Sequence, residues 1–308
     1  MLIIDALTHL RRLREQRNSQ SIAAILCLIL LQVGLPQPGE ARPKPIVEQT
    51  QLSFEVAPRM LVKVVHHQDG DIQVHLPSGA KQHLARAGSE SPGLEIELSA
   101  LGVDFDGRLD LVVQVPVGMV NYSTAVYRFD LGLGEFVKMP VIRKADRSCG
   151  EFGLIELDSD QQVLRSRCRS SIWRTDVYRP SGGALYLFRS ERMLTLPTLD
   201  GKVLSLEPRR FGGPLAVWSS HSPAAEILER AINDGLSVPD NGRPLVPLAA
   251  RVVPMRLLLF DRPGASSTQR YLVQGDRVEM LDEQDGWVQV RYRNPKRGAV
   301  TGWINVND

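Results

Sequence analysis

Between residues 46 and 200 the chain repeats one pattern, strand-length runs with apolar residues at alternate positions, cut by Gly, Pro, Asp or Ser. Leu94, Ile96 and Leu98 alternate with Glu95, Glu97 and Ser99, the period-two signature of a half-buried strand. LVVQV after Asp110 is the next run, followed by TAVYRFD, LGLGEF, GLIELD, QVLRSRCR, TDVYRP and ALYLFRS. SGGALY, Ser181 to Tyr186, reads as a hairpin turn. Short strands at this spacing build antiparallel sheets. The expected fold class is therefore all-β, with a larger antiparallel domain over 46–200 arranged as a sandwich, a barrel or a propeller-like array.

The pattern fades after residue 200. SPAAEILERAINDG places Ser222 as an N-cap, Pro223 at the first helical position and Gly235 as a stop. Ile227, Leu228, Ala231 and Ile232 then share one helical face, so one short helix is expected inside a connector over 201–253. The Pro- and Gly-rich VPDNGRPLVPLAARVVP forms the boundary. From 254 to 308 the runs YLVQGD, VEML, WVQVRY and GWI, with DEQDG as a turn, give the pattern of a small five-strand barrel.

Residues 1–41 read as an export signal. Arg11, Arg12, Arg14 and Arg17 form a basic region, SIAAILCLILLQVGL an apolar one, and GEA ends at Ala41 with small residues suited to cleavage. The apolar run falls short of the ~20 residues that span a bilayer, so a membrane is expected as partner only through an uncleaved signal segment. Export to the periplasm or beyond puts Cys149 and Cys168, the two cysteines left after cleavage, in an oxidising compartment. They lie at the outer ends of two strand-like runs joined by DSDQ, so a disulfide is expected, closing a loop worth about 3 kcal/mol. The net charge of +2 argues against nucleic acid as a main partner.

VDFDGRLDLVV, Val103 to Val113, carries Asp104, Asp106 and Asp110 around Gly107. In a calcium loop of the type D-x-[DN]-x-[DN]-G, oxygens recur at alternate positions and Gly permits the sharp turn. Asp104, Asp106 and Gly107 fit the third, fifth and sixth positions, the Arg108 carbonyl the seventh and Asp110 the ninth. Gly102 and Val113 leave the first and twelfth without ligand side chains. The expectation is a strand-to-strand turn with a partial calcium site of weak affinity, ~10⁻⁴ to 10⁻³ M. His66, His67, His75 and His83 read as scattered hairpin residues about a QDGD turn. With no H-E-x-x-H or nucleophile elbow in the chain, no enzyme is expected.

Two resemblances follow from these motifs. Through Tyr271, Gly275 and Asp276 in YLVQGD, Gly286 and Trp287 in DGW, Tyr292 in VRY, and Gly302 and Trp303 in GWI, residues 254–308 resemble the bacterial SH3-like domain. The resemblance implies a ligand groove for cell-wall peptides built from Tyr271, Trp287, Tyr292 and Trp303; equally, a barrel of this size needs large side chains to fill its core, and Trp303 is the one expected to be exposed. Residues 60–195, through VDFDGRLDLVV, TAVYRFDLGLGEF and CRSSIWRTDVYRPSGGALYLF, look like a family of bacterial periplasmic β proteins with a calcium site at the acidic loop. Its members include immunity proteins that inhibit lysozyme-like peptidoglycan hydrolases. The resemblances imply an exported, non-enzymatic inhibitor of peptidoglycan hydrolases, or a wall-binding envelope protein without inhibitory role.

Overall fold

The computed structural model describes residues 50–67, 70–84, 96–142, 149, 152–194, 199–209 and 212–306, all within one compact unit, Glu48–Asp308. The expected export segment, Leu94, Glu95 and part of the QDGD turn lie outside the described residues. Four strands open the unit as an antiparallel meander: β1 (Gln51–Ala57), β2 (Met60–His66), β3 (Ile72–His75) and β4 (Lys81–Leu84). A second meander repeats the plan with β5 (Glu97–Leu101), β6 (Asp110–Pro116), β7 (Tyr122–Asp130) and β8 (Glu135–Lys138).

Next come β9 (Val141–Ile142), β10 (Leu154–Asp158), β11 (Val163–Arg169), β12 (Trp173–Ser181) and β13 (Ala184–Met193). A π-helical turn at Leu199–Val203 leads into β14 (Leu204–Leu206), then β15 (Leu215–His221) and β16 (Ile227–Asp234). The largest sheet runs β10-β11-β12-β13-β15-β16, with β9 parallel to β13. The chain continues through β17 (Ala249–Val252), β18 (Arg256–Leu258), β19 (Tyr271–Val273), β20 (Arg277–Gln284), β21 (Trp287–Asn294) and β22 (Gly298–Asn305). A sheet ordered β14-β17-β20-β21-β22 and the β18-β19 ribbon complete an all-β protein.

Alternation within single strands explains how the sheets stack. In β6, Leu111, Val113 and Val115 pack with Phe54, Val64, Ile72 and Phe136 of the first and second meanders, while Val112 points to the other side. There it meets Val126, Leu164, Tyr178 and Leu187, a core shared with the largest sheet. The second meander is thus buried on both faces, which is why LVVQV is apolar at every position but Gln114. Val217 and Ile232 of the largest sheet join Leu204, Val252, Val278, Met280, Val288 and Ile304 in a third core. Each core is a layer between two sheets, and burial of these side chains is the dominant stabilising term.

The expected helix is not formed. Ile227–Asp234 is β16, paired along its length with β15 from Leu215↔Asp234 to His221↔Ile227. Ser222 still acts on its local backbone, accepting the Glu226 N–H at 3.1 Å, but it closes a hairpin turn in which Ala225 is left-handed, with φ 66°. The reason is the burial pattern: Ala231 packs beside Trp218 in a fourth apolar cluster, and Ile232 goes to the opposite face. A helix would have placed them side by side. Sheet pairing overrides the local helical signal. The expected connector 201–253 is corrected with it, since β14 and β17 extend the C-terminal sheet and β15 and β16 extend the largest one.

Cys149 and Cys168 are joined by a disulfide. The bridge ties Cys149 to β11, and the Cys149 N–H also donates to Asp176 Oδ2 on β12 at 3.0 Å. The SGGALY turn is a two-residue hairpin with Ser181 opposite Ala184. Among the described residues no helix is long and apolar enough to cross a membrane.

Candidate functional site

The acidic loop links β5 to β6 at one end of the second meander. Leu101 pairs with Asp110, so the residues between them must reverse direction within one turn. Gly107 adopts φ +86°, the left-handed geometry that a glycine takes without penalty. Gly102 meets a different demand, because a Cβ there would lie 3.0 Å from the Arg108 carbonyl oxygen. The Arg108 carbonyl therefore points across the loop at Gly102, and the absent side chain at this expected ligand position leaves room for that approach.

The three aspartates are held differently. Asp110 opens β6, buried, and its Oδ2 accepts the Val103 N–H at 2.8 Å. Asp104 is also buried, with Oδ1 accepting the Asp106 N–H at 3.2 Å. Asp106 faces outward, accepts the Arg108 N–H at 2.8 Å and pairs with the Arg108 guanidinium. Burial, reinforced by the charge of Asp104, pushes the Asp110 carboxyl up to about 7. Burial also raises Asp104, with the charge of Asp106 adding to it. For Asp106 burial acts upward too, yet the N–H and guanidinium of Arg108 outweigh it and hold the carboxyl below its usual range.

As a cation site the loop offers the Asp104 and Asp110 carboxylates and the Arg108 carbonyl, while Asp106 is committed to Arg108. That is short of the six to eight oxygens calcium takes. Val113 lies in the first core, remote from any ligand role. Among the described residues no group of three or more His, Cys, Asp or Glu side chains is arranged to hold a metal. Beside the loop the β7-β8 turn completes a pocket of about 230 Å³, lined by Asp106, Arg108, Leu109, Asp110, Arg128 and Asp130 among others. Leu109 and Leu131 of its lining are exposed. Sequence reasoning did not find Asp130 or Arg128; the DLGLGE turn, with two glycines ending an apolar strand, was the available signal.

The four expected ligand-binding aromatics do not form one groove. Trp287 and Trp303 share the outer face of the β21-β22 hairpin, where Trp287 opposes Asn305 and Trp303 opposes Gln289. Trp287 packs edge-on against Phe260 at 5.1 Å, and Phe260 bridges Trp303 through the backbone. Tyr292 lies on the core side of the same strand, packed against the third core. Tyr271 stands on β19 with the Arg256 guanidinium 4.3 Å from its ring centre. It is Tyr271, 52 % exposed, and not half-buried Trp303, that is open to solvent. Of the histidines, His83 pairs with Asp71 at 2.8 Å near the surface.

A second cleft, of about 510 Å³, runs between Arg209, Trp218, Asp234, Arg277 and the Pro-rich loop of residues 237–248. Its charges are internally matched: Arg277 forks onto Glu207 at 2.6 and 2.9 Å, and Arg209 reaches Asp234 at 3.2 Å. No protein-family model matches this chain, and no curated protein matches it.

Proposed function

We propose that this chain is an exported, non-enzymatic binding protein that blocks a peptidoglycan hydrolase, as an inhibitor or immunity protein, while an SH3-like C-terminal module holds wall material. The observation that carries the reading is the acidic loop. Two of its three aspartates fold inward onto backbone N–H groups, on the segment through which the resemblance to the periplasmic family runs. The Cys149–Cys168 bridge supports export to the periplasm or the exterior. Blocking a cleft asks for a rigid surface, and a meander buried on both faces, packed on a sheet that carries a disulfide, supplies one. A second, linked contact at the wall would add effective concentration.

The test is binding and turnover, with calcium present, against a panel of muramidases, amidases and chitinase-like enzymes. At least one is expected to be slowed; if none is bound or slowed, the inhibitor reading ends. Calcium belongs to this reading as a weak ligand of Asp104 and Asp110. Thermal unfolding with and without about 10 mM calcium, well above the expected dissociation constant, checks it: Asp104→Asn with Asp110→Asn lowers the midpoint more when calcium is present than when it is absent. Equal losses in both conditions would make the loop a structural turn.

The outward pair Trp287 and Trp303 favours the second reading, a wall-binding envelope protein. It predicts sedimentation with purified sacculi that is lost in Trp303→Ala.

A further inference from the structure

At the opposite end of the second meander from the acidic loop, the β6-β7 connection Val117–Asn121 projects into solvent. Its side chains are apolar where polar ones are ordinary: Met119 is 101 % exposed, and Val117 and Val120 are 38 % and 39 % exposed. The loop is nevertheless fixed. The Val117 N–H donates to the Asn121 carbonyl at 2.8 Å, closing the turn. The Asn121 carboxamide is spent on the largest sheet, where Nδ2 donates to the Arg169 carbonyl and Oδ1 accepts the Arg169 N–H, both at 2.7 Å. Arg169 directly follows the disulfide half Cys168. Its guanidinium lies 5.9 Å from the ring centre of Trp173, itself 38 % exposed.

One end of the molecule therefore presents an apolar tip on a clamped loop, with an arginine and a tryptophan at its base. Met, Trp and Arg are the side chains enriched in the cores of protein interfaces, and Trp and Arg dominate their binding energy. A loop fixed before binding loses little entropy on docking. A bilayer would require neither the Asn121 clamp nor so few cations. Arg165 and Arg167 are already paired with Glu156 and Asp158, whereas Arg169 has no carboxylate partner among the described residues. A concave protein site with carboxylates at its rim fits better, and glycan-cleaving enzymes carry a carboxylate pair across their cleft.

We propose that Val117–Asn121, with Arg169 and Trp173, is the element that enters the cleft of a glycan-cleaving hydrolase, Met119 and Val120 filling an apolar subsite and Arg169 facing a cleft carboxylate. The proposal rests on the inhibitor reading and adds the surface that performs it. The test compares the full chain with Met119→Asp/Val120→Asp, with Arg169→Glu and with Asn121→Ala, titrated against the muramidases of the panel. The first two variants are expected to bind about tenfold or more weakly than the wild type. The Asp pair should keep the wild-type thermal midpoint, since Met119 and Val120 are exposed. Asn121→Ala keeps the tip but frees it, and is expected to weaken binding by less.

Variants that inhibit like the wild type would remove this loop from the interface and leave the inhibitor reading standing. A wild type that binds no muramidase overturns this proposal, and the inhibitor reading falls with it only when no other enzyme of the panel is bound either. Vesicles of about 30 % anionic phospholipid form the second arm. Sedimentation of the wild type but not of the Asp pair, without muramidase binding, would assign the tip to a lipid surface and overturn the proposal.

Discussion

Glu191 shows how a residue that reads as ordinary in the sequence becomes a buried charge in the fold. It lies on β13, buried, with one carboxylate oxygen accepting the Thr175 N–H. Burial pushes its carboxyl up to about 8 against the pull of that N–H, and the charge of Asp176 adds to the rise. An acid whose folded pKa lies above its unfolded one stabilises most below the unfolded value, near ~4.3, and loses that contribution as pH rises through about 8. Glu191→Gln keeps an acceptor for Thr175 and removes the titration. The wild-type midpoint is expected to fall between about pH 5 and about pH 8.5, by up to a few kcal/mol of stability, and the Gln variant to fall less and cross above it. Parallel midpoint curves across that range would show that Glu191 titrates as a surface acid. In ALYLFRSERM the alternation puts Glu191 and Arg189 on the face of Leu185, Leu187 and Met193, while their charge argues for solvent, and a single strand does not reveal what will cover them. For Arg189 the cover comes from residues 239–243, far along the chain, whose carbonyls it binds at 2.7 Å from Asp240 and 3.3 Å from Pro239. Asp104, Asp106 and Gly107 were legible because a turn is a local object.

The same division between local and distant causes governs the elements. The β5-β6 and β6-β7 hairpins were legible because period-two alternation and turn residues lie within a few positions of one another. β16 was misread because Ser222, Pro223 and the spacing Ile227, Leu228, Ala231, Ile232 satisfy helical rules locally, while its pairing with β15 and its two apolar environments are not local. Strand and helix predict different mutational costs. In the strand, Ile232 is fully buried in the third core and Leu228 is mostly exposed. Ile232→Ala should cost about 2–4 kcal/mol and Leu228→Ala about 0.5 or less in chemical denaturation. Comparable costs for the two would restore a shared helical face.

For the whole molecule, the decisive feature is that the C-terminal strands do not close upon themselves. β20 pairs with β17, β17 pairs with β14, and the core they cover includes Val217 and Ile232 of the largest sheet. Charges reinforce the junction: Arg230 meets Asp282 at 2.6 Å, and Arg192 meets Glu283 at 2.6 Å. The four strand signals YLVQGD, VEML, WVQVRY and GWI were legible; their dependence on three-residue β14 and four-residue β17 was not, because such short strands carry too little pattern to stand out. Cutting at 254 would therefore strip β17 of its partner β20 and open Leu204, Val217, Ile232 and Val252 to water. Each large apolar side chain so exposed forfeits roughly 1.5–3 kcal/mol, and the loss summed over this layer is comparable with the entire stability of an ordinary domain. Residues 48–253 are accordingly expected to be insoluble or unfolded by circular dichroism, and residues 254–308 to be unfolded in isolation. The intact unit 48–308 is expected to unfold in a single calorimetric transition, because the third core ties the largest sheet to the last one. Two well-separated transitions, or a folded fragment 254–308, would mean that the C-terminal strands form an autonomous domain and that the shared core contributes little.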